Sequence, residues 1–154
     1  MKVNSIIFPS YNSTNGLSVD IFLSGCSREP KCKNCYNPSL WDFDRGKEVN
    51  YEELTSWLKL KNDLFDNIAI LGGEPLSQND LIILLNNLVN IKPIWLYTSY
   101  EIDEIPQEIQ QYCSYIKTGR YIPKLSSNNY LSHKIKLASI NQKILQRGID
   151  YCIE

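Results

Sequence analysis

Three cysteines lie within ten residues of one another near the N-terminus, at positions Cys26, Cys32 and Cys35. Thiolates are the soft ligands that iron–sulfur clusters and zinc sites use. A four-iron cluster takes four thiolates, so three local cysteines would leave one iron open to a substrate. The alternative is a structural zinc site completed by a distant cysteine or by His133, the single histidine of the chain. Against zinc, structural fingers usually supply their ligands as two pairs, and no second pair of that kind follows.

A second motif, Gly72-Gly73-Glu74-Pro75, follows the cysteines after one predicted helix. Two glycines at a strand end let the backbone approach a ligand closely, because no side chain intervenes. Exposed carbonyl groups there, with Glu74 nearby, suit a cationic group such as an ammonium. Pro75 keeps Glu74 extended and begins the next helix cleanly. In isolation the motif is more typical of a plain strand-to-helix turn, but its position after the cysteine loop favours a ligand site.

The elements that must position these motifs alternate between strands and helices. The apolar patterns predict strands at 17–23, 67–71, 94–98 and 115–117, and helices at 51–60, from Ser77 onward, and at 106–112. This alternation predicts an α/β fold with a curled, mostly parallel sheet, as in an incomplete barrel. The candidate residues would then meet at the carboxyl ends of the strands, where such folds place their chemistry.

The length and the apolar pattern exclude several classes of protein. At 154 residues the chain is predicted to form a single domain, residues 1–154, too short for a complete eight-stranded barrel. No apolar run is long enough to span a bilayer, and the N-terminus lacks a secretory apolar region, so we predict a cytoplasmic protein without a membrane partner. Two isolated cysteines, Cys113 and Cys152, are predicted to be small buried hydrophobes.

The net charge of −1 conceals an asymmetry along the chain. Residues 1–116 contain 9 Lys and Arg against 15 Asp and Glu, whereas residues 117–149 contain seven basic residues and no acidic one. This basic segment is either a solvated face or a docking surface for an acidic partner. Aromatic residues are sparse among its charges, so nucleic acid is not predicted as a partner.

Taken together, the motifs resemble those of radical S-adenosylmethionine enzymes, and more specifically the activating enzymes of anaerobic (class III) ribonucleotide reductases. The resemblance covers nearly the whole chain. The similar segments are IFLSGC ending at Cys26, CYNPSLW at 35–41, LGGEPL at 71–76, IWLYTSY at 94–100, GRY at 119–121 and Ser139-Ile140-Asn141-Gln142. The chain departs from the family pattern in the longer Cys26–Cys32 spacing, in lacking an arginine near Ser18, in having Thr118 in place of an aspartate, and in having Asn34 before the last cysteine.

What the resemblance implies is a defined chemistry. Cys26, Cys32 and Cys35 would hold a 4Fe-4S cluster, while Gly72, Gly73 and Glu74 would position S-adenosyl-L-methionine. Reductive cleavage of that cofactor would yield a 5′-deoxyadenosyl radical, which abstracts hydrogen from a glycine of the reductase. No catalytic residue is expected beyond the cluster and cofactor ligands.

The resemblance also suggests further contacts and partners. Tyr36 would lie beside the adenine or the cluster, and Thr98 and Ser99 would contact the ribose or carboxylate, although hydroxyls at strand ends commonly form turns. The large subunit of the reductase would be the protein substrate, and a flavodoxin the type of low-potential electron donor. The alternatives are another glycyl-radical activase, a small-molecule radical enzyme, and a non-catalytic zinc-stabilised interaction module.

Overall fold

The computed structural model describes residues 1–153. Its strands are β1 Lys2–Ser10, β2 Ser18–Leu23, β3 Lys47–Glu48, β4 Asn67–Gly72, β5 Ile94–Tyr97, β6 Tyr115–Thr118, β7 Leu131–Ser132, β8 Ile135–Lys136 and β9 Lys143–Gln146. Its helices are α1 Tyr51–Leu60, α2 Leu81–Leu88 and α3 Gln107–Gln110, with short 3-10 turns between the elements.

Seven of these strands form one mixed sheet in the order β3-β1-β2-β4-β5-β6-β9. The central strands β2, β4, β5 and β6 are parallel, and β1, β3 and β9 run antiparallel to their neighbours. The predicted α/β fold with a mostly parallel sheet centre is therefore confirmed. Within residues 1–153 the edge strands β3 and β9 do not pair with each other, so the sheet is open rather than a closed barrel.

The parallel strands are buried on both faces, which explains their continuous apolar sequences. On one face, Leu58 of α1 and Leu84 of α2 pack into the larger core cluster and are fully buried. On the other face, Trp95 of β5 stacks on Tyr115 of β6 with ring centroids 4.0 Å apart, and Leu137 packs against this pair. The second face is thus covered by the C-terminal part of the chain instead of by helices.

Side-chain hydrogen bonds to backbone amides determine where the first two helices begin. The Asn50 side chain accepts from the Glu53 amide at 3.1 Å and caps α1, which begins at Tyr51 as predicted. The predicted start of the second helix at Ser77 is wrong, because the Glu74 carboxylate accepts from the Leu76 amide and holds Pro75–Ser77 in a 3-10 turn. α2 consequently begins only at Leu81. In the part of the chain that the structure describes, no helix is long and apolar enough to cross a bilayer.

The two isolated cysteines have different surroundings. Cys113 is fully buried, and burial raises the pKa of its thiol to about 12, as expected for a small core residue. Cys152 is exposed, so its predicted burial is wrong. The preceding residue, Tyr151, is the one whose side chain enters the core, where its hydroxyl donates to the Cys113 carbonyl oxygen at 2.8 Å.

Candidate metal centre

The carboxyl ends of the four parallel strands meet at one edge of the sheet, where they surround a pocket. In the strand register, Leu23 lies opposite Gly72, and Tyr97 lies opposite Lys117, so the segments that follow them are neighbours. We call this cavity of about 240 Å³ the strand-end pocket. It is lined by Phe22, Cys32, Cys35, Tyr36, Asn37, Leu71, Gly72, Gly73, Glu74, Tyr97, Thr98, Ser99, Lys117, Gly119, Arg120, Tyr121 and Gln142. Every predicted site residue except Cys26 lies on its wall.

The two glycines at the end of β4 are required because neighbouring backbone lies too close for a side chain. A Cβ atom on Gly72, whose φ is +132°, would lie 2.0 Å from the Leu23 carbonyl oxygen. A Cβ atom on Gly73 would lie 2.3 Å from the carbonyl oxygen of Gly25. The close approach of the two backbone segments allows two hydrogen bonds between them. The Gly73 amide donates to the Leu23 carbonyl oxygen and the Glu74 amide to that of Gly25, at 2.9 Å each. The glycines therefore hold β4 against the base of the cysteine loop.

The Glu74 carboxylate is buried and accepts four hydrogen bonds from the protein. Its Oε1 accepts from the Thr98 hydroxyl at 2.6 Å and from the Leu76 amide at 3.1 Å. Its Oε2 accepts from the amide and the hydroxyl of Ser99 at 2.9 and 2.7 Å. Three predicted cofactor contacts, Glu74, Thr98 and Ser99, are thus brought together and bound to one another. Their contacts with a ligand stay predictions.

The three cysteines lie on one loop between β2 and the 3-10 turn at Pro38–Trp41. Cys26 is buried at the base of this loop, where its amide donates to the Trp41 carbonyl oxygen at 3.1 Å. Burial raises the pKa of the Cys26 thiol. Cys32 and Cys35 lie on the pocket wall and are joined by a turn in which the Cys35 amide donates to the Cys32 carbonyl oxygen at 3.2 Å.

Basic side chains fasten the lengthened stretch between Cys26 and Cys32. The Arg28 guanidinium lies 4.0 Å from the centroid of the Tyr100 ring, and Lys31 Nζ donates to the Cys26 carbonyl oxygen at 2.8 Å. From the end of β6, Arg120 Nη2 donates to the Pro30 carbonyl oxygen at 2.8 Å and lies 3.8 Å from the Cys32 sulfur. The longer spacing is therefore compatible with an ordered ligand loop.

The three thiols are chemically suited to an iron–sulfur cluster, for which thiolates are the usual ligands. Across residues 1–153, no three His, Cys, Asp or Glu side chains gather around one point as ligands of a single metal ion. Each thiolate of a four-iron cluster binds its own iron, so three thiols spread along a loop suit that group. His133, the residue proposed to complete a zinc site, instead bonds Asp150 at 3.0 Å and packs its ring edge against Tyr115.

Sequence reasoning did not assign roles to several pocket residues near the end of β6. Lys117 Nζ donates to the Gly119 carbonyl oxygen at 2.6 Å, and burial lowers the pKa of Lys117 to about 8, opposed by the negative charge of Glu74. The Gln142 amide donates to the same oxygen at 3.2 Å. The sequence signal that could have found Lys117 is its charge inside a buried strand. A charged residue is rarely placed there without a partner or a ligand.

Comparisons with known proteins show which family the chain is similar to. The family model described as a 4Fe-4S single cluster domain matches residues 13–145. The anaerobic ribonucleoside-triphosphate reductase-activating protein of Haemophilus influenzae is 28% identical over 142 residues, covering 79% of this chain and 90% of its own. The protein of the same name from Enterobacteria phage T4 is 30% identical over 139 residues, covering 84% and 83%. The resemblance predicted from the motifs is confirmed.

A third relative is similar over a shorter stretch. The pyruvate formate-lyase-activating enzyme of Clostridium pasteurianum is 33% identical over 72 residues, which is 44% of this chain and 29% of the relative.

The saturated Glu74 carboxylate predicts a stability effect that a purely ligand-binding residue would not have. Glu74→Gln is expected to lower the free energy of unfolding by about 2–4 kcal/mol. The reason is that the glutamine NH₂ group would face N–H and O–H groups that now donate hydrogen bonds to the carboxylate. Urea unfolding of the metal-free protein measures this, and Glu53→Gln on α1, with an expected change below about 1 kcal/mol, is the matched control. An unchanged unfolding free energy would contradict the structural role.

The buried Lys117 predicts a pH dependence of stability. Its folded-state pKa of about 8 lies below the ordinary lysine pKa of 10.5, so between these values the unfolded chain binds more protons and stability rises with pH. Lys117→Met should therefore be more stable than the parent at pH 7, by at most about 3 kcal/mol, and this advantage should vanish above pH ~10.5. Denaturant unfolding across this pH range tests it. Lys124→Met, on the exposed surface, should show no such trend.

Proposed function

The chain belongs to the 4Fe-4S single cluster domain family and to the anaerobic ribonucleoside-triphosphate reductase-activating proteins, and on this basis we propose that it activates such a reductase. The observation that carries the proposal is the strand-end pocket, where a loop with three cysteines meets the buried Glu74 network and the ends of β5 and β6. Two of the three cysteines thus lie on the wall of the same pocket as the Glu74 network.

We assign the cluster to Cys26, Cys32 and Cys35, and the cofactor contacts to Gly72, Gly73, Glu74, Tyr36, Thr98 and Ser99. A cluster held there would supply the electron for reductive cleavage of S-adenosylmethionine, the reaction that would lead to hydrogen abstraction from a glycine of the reductase.

The protein's own residues bind and orient the reactants. The backbone at Gly72 and Gly73 lines the pocket, where its carbonyl groups would accept from an ammonium, and Glu74 accepts hydrogen bonds from Thr98 and Ser99 on the same wall. Below pH ~8 the Lys117 ammonium adds a positive charge on the wall, which suits the carboxylate of the cofactor.

The finer features of the proposal concern architecture and electron supply. We infer that the open sheet is an incomplete barrel of the radical S-adenosylmethionine type, forming one domain over residues 1–154. An open side suits a substrate that is a loop of another protein. The electron would come from an external low-potential donor such as a flavodoxin, because the sequence contains no second cluster of cysteines.

Anaerobic reconstitution with iron and sulfide tests cluster, cofactor and chemistry together. We expect the reconstituted protein to form 5′-deoxyadenosine from S-adenosylmethionine under dithionite, measured by chromatography. Cys32→Ser should lower both the bound iron and this product to the level of the metal-free protein, because a cluster ligand is lost. Cys152→Ser, which removes an exposed cysteine outside the loop, is the matched control and should retain both. Zinc without iron or sulfide in the anaerobically purified protein would contradict the proposal and favour an interaction module.

The basic segment predicts how the reductase is recognised. Lys134 and Lys136 are exposed on the β7–β8 hairpin. Reversing both charges with Lys134→Glu and Lys136→Glu should weaken binding to the reductase by about tenfold and reduce its salt dependence, while 5′-deoxyadenosine formation without reductase persists. Surface plasmon resonance at two salt concentrations measures the affinity. Lys59→Glu with Lys61→Glu changes the net charge equally on α1 and serves as control. Unchanged affinity would remove the hairpin from the docking surface.

A further inference from the structure

One cation beside the cysteine loop has no acidic partner. Arg28 and Lys31, which belong to the loop, form ion pairs with Glu104 at 3.8 Å and with Glu29 at 2.8 Å. Arg120, which follows β6, is half-buried, and in the part of the chain that the structure describes no carboxylate lies at salt-bridge distance from it. A guanidinium taken partly out of water needs hydrogen bonds or an anion to replace its hydration. The surroundings of Arg120 therefore show what its charge serves.

The Arg120 guanidinium is directed at the cysteine loop. Its Nη2 donates to the Pro30 carbonyl oxygen at 2.8 Å and lies 3.8 Å from the Cys32 sulfur, within reach of an N–H···S hydrogen bond. Pro30 belongs to the stretch that lengthens the spacing between Cys26 and Cys32. One nitrogen of Arg120 thus contacts both the lengthened stretch and a sulfur that we assign to the cluster.

A turn near the C-terminus holds the backbone that carries Arg120. The Asn141 side chain donates to the Arg120 carbonyl oxygen at 2.9 Å, and the Gln142 side chain donates to that of Gly119 at 3.2 Å. The turn is closed on itself, because Gln142 Oε1 accepts from the Ser139 amide at 3.2 Å. The late Ser-Ile-Asn-Gln segment therefore determines where the Arg120 side chain begins, and the guanidinium reaches the loop from a fixed base.

A hydrogen bond to a ligand sulfur changes how readily an iron–sulfur cluster is reduced. Reduction adds one negative charge to the cluster and its thiolates, so a positively charged donor stabilises the reduced state more than the oxidised state. Hydrogen bonds to the sulfurs are accordingly among the factors that set the reduction potential of such clusters. Because a guanidinium stays charged at any working pH, the effect of an arginine is constant.

We propose that Arg120 is a positioning residue that donates a hydrogen bond to the Cys32 thiolate and raises the reduction potential of the bound cluster. The same guanidinium holds the Pro30 carbonyl oxygen, so the group that acts on the sulfur also fastens the lengthened stretch of the loop. This inference rests on the proposed function and adds a residue that makes the cluster easier for an external donor to reduce.

The reduction potential of the reconstituted cluster tests this role. The measurement is an anaerobic redox titration followed by electron paramagnetic resonance, without S-adenosylmethionine, so that contacts of Arg120 with the cofactor play no part. At a fixed ambient potential, Arg120→Met should lower the ratio of reduced to oxidised cluster about tenfold, which is a shift of about 59 mV to more negative potential for a one-electron couple. Arg45→Met, which removes an exposed guanidinium that donates to Asn4, is the matched control and should keep the potential of the parent.

A purely structural role of Arg120 predicts a different result. Loss of the Pro30 contact alone would lower the iron bound per chain, while the clusters that do form would keep the potential of the parent, and that result overturns the inference. Equal shifts in Arg120→Met and Arg45→Met also overturn it, since they would report only the net charge of the protein. A parent that assembles no 4Fe-4S cluster overturns the inference and the proposed function together.

A second variant serves if Arg120→Met takes up no iron. Arg120→Lys keeps the positive charge but carries a single nitrogen on a shorter side chain, so it cannot reproduce the planar donor group that contacts Pro30 and Cys32. We expect it to bind iron and to lower the ratio of reduced to oxidised cluster about threefold at the same ambient potential. In that case a ratio equal to that of the parent overturns the role of the guanidinium.

Discussion

The position of the buried Glu74 carboxylate determines how the ends of the parallel strands are arranged. A carboxylate removed from water is tolerated when hydrogen bonds replace its hydration, and the four donors around Glu74 do so. Because two of these donors belong to Ser99 and one to Thr98, the end of β5 is locked to the end of β4. The backbone contacts of Gly72 and Gly73 then lock β4 to the cysteine loop. The cysteine loop, the wall of the strand-end pocket and the strand ends thus form one connected unit.

This arrangement changes how the Gly-Gly-Glu-Pro motif is understood. From the sequence, the glycines are open space for a ligand and Glu74 is a group that faces it. In the structure, the space beside each glycine is taken by the protein backbone, and both carboxylate oxygens already have partners. The motif's first role is therefore structural, since it holds the backbone that a ligand would meet. A ligand role for the same backbone carbonyl groups is compatible with this.

Much of the fold could be predicted because its signals are local. Strands such as Asn67–Gly72 are continuous apolar runs, and α1 has a recognisable cap in Asn50. The failures arise where side-chain contacts that the apolar pattern does not show determine the structure. Ser77 looks like a helix cap, but the Glu74 side chain accepts from the Leu76 amide and holds the same residues in a 3-10 turn. The surroundings of Lys117 and Arg120 could not be predicted, because Glu74, whose charge acts on Lys117, and Pro30, to which Arg120 donates, are distant in sequence. The cover of Trp95 by Leu137 was also missed, since the segment around Leu137 has neither helical nor strand periodicity.

That irregular C-terminal segment connects stability with access. Leu137 belongs both to the buried cluster with Trp95 and Tyr115 and to the lining of a cavity of about 720 Å³ that adjoins the strand-end pocket. Displacing the cavity wall would therefore expose stacked aromatic rings that are otherwise covered, and the loss of that buried apolar surface resists the displacement. A helix over this face would have covered the rings equally well, but its side chains would fill the space beside the strand ends. Covering the sheet with turns and a short hairpin protects the core and leaves a rigid opening next to Cys35 and Tyr36. The opening is thus a consequence of how the second face of the sheet is sealed.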